Sequence, residues 1–284
     1  MADSVEILRY SAFSSTPEGG NPAGVVLAAD GLSDETMQAI AAEVGFSETA
    51  FLTQPKQQGG PFGVRYFSPL AEVGFCGHAT IALAVAHAER RGPGRMLLST
   101  KVGRIPVETY RGREGLSARL VSVAPQVRGV DQSDLREALA ALRWSDGDLD
   151  PLLPARIANA GNDHLVLAAR TRERLADLDY DFERLGTLMA KREWTTVQLV
   201  WRENESLYHS RNPFPPGGVV EDPATGAAAA ALGGYLRALD LVSLPARVTI
   251  VQGVDMGRPS TLYIDIPRQT TEGIAVSGTA TAIP

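Results

Sequence analysis

The stretch EDPATGAAAAALGGYL, residues 221–236, indicates the fold most directly. It places two adjacent acids, Glu221 and Asp222, on an expected turn with Pro223 and Gly226, and an alanine-rich run follows at once. The run predicts a buried helix over about 223–239. A helix N-terminus offers unpaired N–H groups and a partial positive charge, so this turn is a candidate anion site.

The same arrangement occurs earlier, in GFCGHATIALAVAHAERRG, residues 74–92. Here Cys76 and His78 lie on a glycine turn that leads into a second helix of small residues, predicted over about 78–90. Two such helix starts, each with reactive side chains, predict a site built between two similar halves.

Strands dominate the remaining pattern, and they do not alternate with helices as in a parallel α/β sheet. The sequence therefore predicts an α+β fold of two similar domains, each a strongly curved, mostly antiparallel sheet wrapped round a central apolar helix. We place the domains at 1–125 and 126–284, because Pro125 and Gly129 interrupt the pattern in SVAPQVRGV, residues 122–130. The other predicted helices are Ser33–Val44, 131–142 and 181–192, and the predicted strands are 5–13, 20–27, 46–53, 63–68, 95–101, 104–110, 116–123, 155–160, 163–169, 195–202, 206–212, 246–252, 260–266 and 273–279.

The composition is that of a globular protein of 284 residues, with 44% hydrophobic and 21% charged residues. A net charge of −6 disfavours nucleic acid and anionic membranes as partners. The single cysteine precludes an intrachain disulfide and favours a reducing compartment. Neither a signal peptide nor an apolar run of about 18 residues is visible, so we expect a cytoplasmic protein.

Glu48, in FSETAFL (46–52), is the first candidate for chemistry. If this segment is a strand, Phe46, Glu48, Ala50 and Leu52 share one face. A carboxylate among apolar neighbours loses hydration, which suits it to carry protons near neutral pH. The alternative is a solvated glutamate at a strand end.

Three further side chains have a structural and a functional interpretation. Asp222 is an N-cap acid, or a partner of Glu48 in acid–base chemistry. His78 is a turn histidine bonded to backbone, or a neutral donor or acceptor at a positive helix end. Cys76 is a small buried residue, or a thiol activated by that helix end.

Several site classes are excluded by residue counts and motifs. One cysteine excludes an epimerase that uses two opposed thiols. The four histidines have no pair at metal-ligand spacing, so we expect no metal site. The chain also lacks a G-x-S-x-G elbow, a Walker loop and a dinucleotide-binding G-x-G-x-x-G after a strand.

Taken together, the motifs resemble the PhzF-like family, which has the diaminopimelate epimerase fold. The resemblance implies two similar halves with the site in the cleft between them, and a last strand, about 273–284, that packs back onto the first half. It also implies a cofactor-independent homodimer. The matching motifs are GNPAGVV (20–26), SETAF (47–51), VRYFSPLAEVGFCGHATIALA (64–84), EDPATGAAAAAL (221–232), QGVDMGRPS (252–260) and GIAVSGTA (273–280).

By position, the resemblance implies that Glu48 takes a proton from a C–H carbon and returns it elsewhere on the substrate, assisted by His78 and Asp222. Backbone N–H groups at the two helix starts would hold a substrate carboxylate. Ala227 stands where the phenazine enzymes have serine, which argues against the phenazine substrate, a dihydro-hydroxyanthranilate. The expected substrate-binding residues are Asn21, Cys76, Gly77, Thr225, Gly226 and Ala227.

The sequence thus favours an isomerase that moves a proton within a small molecule bearing a carboxylate. One alternative is an epimerase or racemase of amino or hydroxy acids that uses unlike groups. Another is a binding or interaction protein that kept the fold and lost the chemistry, which Ala227 favours.

Overall fold

A computed structural model describes residues 5–55, 57, 59–112 and 114–284. Its helices are α1 (Asp34–Val44), α2 (Gly77–Arg91), α3 (Gln132–Leu142), α4 (Arg172–Ala176), α5 (Phe182–Arg192) and α6 (Gly226–Ala238). Its strands are β1 (Leu8–Ala12), β2 (Asn21–Val26), β3 (Glu48–Thr53), β4 (Phe62–Phe67), β5 (Glu72–Val73), β6 (Arg95–Thr100), β7 (Gly103–Gly112), β8 (Gly115–Val121), β9 (Gln126–Gly129), β10 (Arg156–Asn159), β11 (Asp163–Ala168), β12 (Trp194–Asn204), β13 (Leu207–Phe214), β14 (Val219–Asp222), β15 (Ala246–Gln252), β16 (Ser260–Ile266) and β17 (Ala275–Ala282).

The chain divides into two compact units. The first contains the described residues up to Val121 together with Ser277–Pro284, and the second is Ser122–Val276. The second unit is therefore inserted, in sequence, between the body of the first unit and its final strand.

In the first unit, antiparallel hairpins alternate with two helical crossovers. β1 pairs with β2, and β3 pairs with β4, in antiparallel register. Helix α1 connects β2 to its parallel neighbour β3, while α2 lies between the parallel strands β4 and β6. β6, β7 and β8 follow as an antiparallel meander, and β17 completes the unit by pairing antiparallel with β1.

The second unit repeats this order of connections. β10 and β11 form a hairpin, α4 and α5 connect β11 to its parallel neighbour β12, and β12 pairs antiparallel with β13. Helix α6 then lies between the parallel strands β13 and β15, in the position that α2 has in the first unit. Its N-cap residue, Thr225, is accordingly the topological counterpart of Cys76 at the start of α2.

The two apolar helices are central to their units. Residues 78–86 of α2 and 228–237 of α6 are buried without interruption, so neither stretch has a solvent face. Strands β1, β2, β3, β7 and β8 all pack on α2, and β9, β10, β11 and β16 pack on α6. Small side chains on both helices let the strands approach closely.

Helix α1 covers the other side of β3 and β4. Ser33 caps it by accepting a hydrogen bond from Thr36 N, and Gly45 ends it in the left-handed region at φ 72°. The predicted buried stripe is confirmed and consists of Met37, Ile40, Ala41 and Val44.

Two local predictions are wrong. Residues 126–129, expected in an irregular boundary segment, form β9 and pair with β10. Glu221 and Asp222, expected on a turn, end strand β14, which pairs with β13, so α6 begins at Gly226 rather than near 223. In both cases four residues are too few to show a periodic pattern, and the pairing partner is distant in sequence. None of the described helices is long and apolar enough to cross a membrane.

Candidate active site

The start of β3 presents Glu48 towards helix α2. Glu48 lies opposite Ala23 of the parallel strand β2, and strand alternation puts Glu48, Ala50 and Leu52 on one face. Phe51 points the other way and packs in the cluster beneath α1. Phe46 packs in that same cluster, so the prediction that it shares a face with Glu48 is wrong, because the strand begins only at Glu48.

The start of α2 supplies the other two reactive side chains. Cys76 is the N-cap residue, with extended backbone, and His78 is the second residue of the helix. Both are buried. Gly77, between them, is half-buried, and a Cβ placed on it would meet no atom within 4 Å.

Glu48, Cys76 and His78 come together as a compact cluster. The Oε2 atom of Glu48 lies 3.5 Å from the Cys76 Sγ, which donates to it, and 3.4 Å from the His78 Nε2. The Cys76 Sγ is 3.3 Å from the His78 Nδ1. The expected apolar surroundings of Glu48 are therefore replaced, on this side, by a thiol and an imidazole.

The carboxylate is the accessible member of the cluster. The side chain of Glu48 is 20% exposed, whereas that of His78 is 9% exposed. The hydroxyl of Ser47, which is exposed, lies 3.4 Å from the His78 Nε2. A small molecule can thus reach the Glu48 carboxylate from solvent, whereas the Cys76 thiol and the His78 imidazole are buried.

Hydrogen bonds from Thr80 and Tyr66 stabilise the turn that contains Cys76. Thr80 donates a hydrogen bond of 2.6 Å to the Cys76 carbonyl, and the Tyr66 hydroxyl lies 2.7 Å from Thr80 Oγ1. Burial raises the pKa of Tyr66, so its hydroxyl keeps its proton. These contacts fix the first turn of α2 relative to β4.

A second polar cluster lies at the start of α6, in the second unit. Thr225 donates a hydrogen bond of 2.5 Å from its hydroxyl to Oδ2 of Asp222. Gln252 binds the same turn at three points, donating to the Asp222 carbonyl at 2.7 Å and to Thr225 Oγ1 at 3.1 Å and accepting from Thr225 N at 3.2 Å. Asp222 therefore braces Thr225, which occupies the N-cap position of α6.

Gly253 lets the neighbouring β15–β16 connection approach this turn. It has φ 74°, and a Cβ there would lie 2.2 Å from the Arg258 carbonyl oxygen and 2.8 Å from that of Pro223. Only glycine tolerates both the left-handed backbone and the close carbonyls. Gly226 and Ala227, the first two residues of α6, are half-buried.

Glu221, the other member of the acidic pair, has a structural contact. It is buried, and Arg211 donates to both of its carboxylate oxygens, at 2.8 and 2.9 Å. Because successive strand residues point to opposite faces, Glu221 and Asp222 face different surroundings. In the described part of the chain, neither N-cap side chain, Cys76 or Thr225, makes a capping hydrogen bond to the helix that it precedes.

The predicted site residues thus fall into two groups. Glu48, Cys76, Gly77 and His78 meet in the first unit, where Asn21 is buried at the start of β2. Asp222, Thr225, Gly226 and Ala227 lie together in the second unit. Four supporting residues were not among the predicted site residues, although all lie inside the quoted motifs: Ser47, Tyr66, Thr80 and Gln252. Ser47 and Thr80 stand within two residues of Glu48 and His78, and that nearness in sequence is the signal that could have found them.

The cluster of the first unit also has the donor set of a metal site. One ligand atom from each of Glu48, Cys76 and His78 lies within 4.8 Å of the others. Searching the sequence for histidine pairs could not find it, because β3 and α2 each supply part of the set.

Comparison with known proteins gives a consistent result. The family model described as "Phenazine biosynthesis-like protein" (PhzC-PhzF) matches residues 10–284. An uncharacterized isomerase of Deinococcus radiodurans is 34% identical over 279 residues, covering 95% of this chain and 90% of that protein. The trans-2,3-dihydro-3-hydroxyanthranilate isomerase of Pseudomonas aeruginosa is 32% identical over 254 residues, covering 89% and 87%.

A solved structure agrees with these relatives. The crystal structure of a PhzF-family phenazine biosynthesis protein of Bacillus anthracis has a TM-score of 0.87 to this chain at 26% identity, covering 99% of this chain and 97% of that one. The predicted α+β, diaminopimelate epimerase-like fold is thereby confirmed. The family model matches nearly the whole described chain, and the two relatives, both named isomerases, match this chain over most of their length. This protein therefore belongs to the PhzC-PhzF phenazine biosynthesis-like family and is an isomerase.

Proposed function

We propose that this isomerase moves a proton within a small substrate that carries a carboxylate, with Glu48 as the acid–base group. The observation that carries the proposal is the contact of the partly exposed Glu48 carboxylate with both Cys76 and His78. In the forward direction Glu48 removes a proton from a carbon next to an electron-withdrawing group. The electron pair shifts along the substrate, and Glu48 returns the proton to another carbon.

The arrangement around Glu48 suits a group that gains and loses a proton. A carboxylate bound at both oxygens by a guanidinium is committed to that contact, as Glu221 is to Arg211. The two contacts of Glu48 instead involve one oxygen, Oε2, and come from side chains that can each donate or accept a proton. His78 is the proposed assisting residue in this unit, and Asp222 the one in the second unit.

The helix starts support a substrate with a negative charge. The first N–H groups of α2 and α6 have no partner within their helices, and each helix end has a partial positive charge. Backbone N–H groups near Gly77–His78 are the proposed donors to a substrate carboxylate. In the second unit the Thr225 N–H already donates to the Gln252 Oε1 at 3.2 Å, so the N–H groups from Gly226 onward are the proposed donors there. Ala227 offers no hydroxyl at the second start, so we propose a substrate other than the one for which the Pseudomonas aeruginosa relative is named.

The test is exchange of substrate C–H protons with solvent. The untagged, chelator-treated protein is incubated in D2O with a panel of small amino, hydroxy and cyclic unsaturated carboxylic acids, followed by proton NMR. We expect exchange with at least one class, and a loss of about 10²–10⁴-fold in its rate in Glu48→Gln, because the acid–base group is removed. Glu43→Gln, an exposed glutamate on α1, is the matched control and should keep the rate.

Two outcomes contradict the proposal. The first is full activity of Glu48→Gln. The second is carboxylate binding without exchange across the whole panel, which would favour a binding protein.

The Cys76 thiol, which lies 3.5 Å from Glu48, favours one second candidate, an epimerase or racemase of amino or hydroxy acids. Two unlike groups could then remove and return the proton at one carbon. Stereochemical analysis of the product separates the two, since a proton shift changes the bonding pattern and epimerisation changes only the configuration. An epimerase that uses the thiol also loses its activity in Cys76→Ser, whereas a shift through Glu48 alone keeps most of it.

A further inference from the structure

The side chains of Glu48, Cys76 and His78 form a nearly equilateral triangle of potential ligand atoms. The edges are 3.5 Å from Cys76 Sγ to Glu48 Oε2, 3.4 Å from Glu48 Oε2 to His78 Nε2, and 3.8 Å from Cys76 Sγ to His78 Nε2. Two of the three residues are buried, and the third is partly exposed.

These edges match the geometry of tetrahedral zinc. With a Zn–S distance of about 2.3 Å and Zn–N and Zn–O distances of about 2.0–2.2 Å, tetrahedral angles place the ligand atoms about 3.4–3.6 Å apart. The observed edges differ from these values by a few tenths of an ångström at most. The Cys76 Sγ is also 3.3 Å from the His78 Nδ1, nearer than to Nε2, so the imidazole has to rotate until the Nε2 lone pair points at the ion. The distances between the three ligand atoms themselves need to change by only a few tenths of an ångström.

The chemistry of the donors selects the kind of ion. Thiolate and imidazole favour zinc, cobalt and cadmium over magnesium and calcium, which prefer oxygen ligands. Three protein ligands leave the fourth tetrahedral position to water or to a ligand. Among the described residues, these are the three histidine, cysteine or acidic side chains that each place a ligand atom within 4.8 Å of the other two.

We infer that Glu48, Cys76 and His78 bind a zinc-type divalent cation. The thiol binds as thiolate, and its proton passes to the buffer. Binding does not depend on the proposed reaction. One consequence does rest on it: a carboxylate bound to a divalent cation is a much weaker base, so the ion slows proton transfer by Glu48 and inhibits the enzyme reversibly.

Binding is tested without substrate, on the full chain without a histidine tag and after chelator treatment. Zn²⁺ is titrated in competition with a chromophoric chelator, and Co²⁺ serves as the spectroscopic probe. We expect one equivalent of Zn²⁺, a thiolate-to-cobalt charge-transfer band with Co²⁺, and a higher melting temperature with Zn²⁺.

Three ligand variants and one control locate the site. We expect Cys76→Ser, His78→Asn and Glu48→Gln each to weaken Zn²⁺ binding by about tenfold or more, and Cys76→Ser to abolish the charge-transfer band. His87→Asn is the control, because His87 lies on the same helix but packs edge-on against Phe62 with ring centroids 5.4 Å apart. It should bind Zn²⁺ like the unchanged chain.

Failure of this inference differs from failure of the proposed function. Absence of Zn²⁺ binding at micromolar concentrations, or equal binding by Cys76→Ser, overturns the metal site and leaves the exchange assay in chelator unaffected. Exchange that persists undiminished at saturating Zn²⁺ overturns the inhibition, because a carboxylate bound to the cation is too weak a base to keep the full rate.

Discussion

The role of an acidic residue in this protein depends on how many of its oxygens are occupied. Arg211 binds both oxygens of the buried Glu221, which leaves that carboxylate little capacity to contact a ligand. The contacts of Glu48 with Cys76 and His78 involve a single oxygen. The two glutamates thus differ in their capacity for chemistry, because one carboxylate is occupied at both oxygens and the other at one.

His164 gives a prediction for stability at the scale of one residue. It is fully buried on β11, its Nδ1 lies 2.8 Å from Thr196 Oγ1, and no hydrogen-bond partner of its Nε2 occurs among the described residues. Burial lowers the pKa of His164 to about 4, against the nearby charge of Asp163, which raises it. Because the unfolded chain binds this proton more readily, stability falls as the pH drops from about 6.5 to about 4.

The measurement is urea unfolding of the unchanged chain and of His164→Gln between pH 7 and pH 4. The titration of His164 contributes on the order of 3 kcal/mol over this range, so the difference in unfolding free energy between the two proteins should shift by about that amount in favour of the variant at low pH. Parallel curves for the two proteins would contradict the low pKa.

At the scale of elements, the glycine pair in α6 sets how closely the chain can pack around the helix. A Cβ on Gly234 would lie 2.3 Å from the Cβ of Pro125, and one on Gly233 would lie 2.8 Å from a methyl of Ile274. Glycine inside a helix costs about 1 kcal/mol relative to alanine. Here glycine is needed in spite of that cost, because a larger residue would clash with Pro125 or Ile274.

We therefore expect Gly234→Ala to destabilise the protein by about 1–3 kcal/mol, against its helix propensity, because the proline ring cannot move away like a flexible side chain. Gly77→Ala is the matched control for stability, since no atom lies within 4 Å of the added carbon at the start of α2. Urea unfolding of both variants checks the prediction. A stabilised Gly234→Ala would show that propensity, and not the contact with Pro125, dominates at this position.

The elements that the sequence could predict are those defined within one continuous segment. Helix α1 has a capping serine, a buried stripe and a terminal glycine within one continuous segment, so its bounds follow from local rules. Strands β9 and β14 have four residues each and are defined by pairing with β10 and β13.

The site divides in the same way. Cys76 and His78 are neighbours in a motif, so their proximity was predictable. The approach of Glu48 depends on the parallel register of β2 and β3, and the support from Tyr66 and Gln252 depends on long-range packing. No local pattern encodes either contact.

At the scale of the whole molecule, the final strand makes the first unit depend on residues far away in sequence. Ala280, Thr281 and Ala282 of β17 pair with β1, and the Phe13 N–H donates to the Thr279 carbonyl at 2.7 Å. A chain that ends at Val276 lacks these contacts and exposes the backbone edge of β1.

We expect this shortened chain to melt about 10 °C or more below the full chain, because it loses several hydrogen bonds of about 1 kcal/mol each together with buried side chains. A chain that ends at Ile283 is the control, because it keeps all of β17 and the hydrogen bond of 2.8 Å from the Ile283 N–H to the Arg9 carbonyl, and it should melt close to the full chain. Differential scanning calorimetry checks both. Equal melting temperatures for all three chains would show that β17 contributes little to the first unit.

This insertion of one unit within the other also sets the order of events on the ribosome. The second unit ends at Val276 and is translated in full before Ser277–Ala282, the part of β17 that belongs to the first unit, so β1 lacks its β17 pairing throughout that time. An unpaired strand edge can pair with a strand of another chain, so the incomplete first unit is prone to aggregate until β17 has been synthesised. In the folded second unit the Ser122 N–H donates to the Ile274 carbonyl at 2.9 Å, so the two ends of the unit lie close together. Closing the first unit across this folded insert therefore costs less chain entropy than closing it across an unfolded loop of the same length.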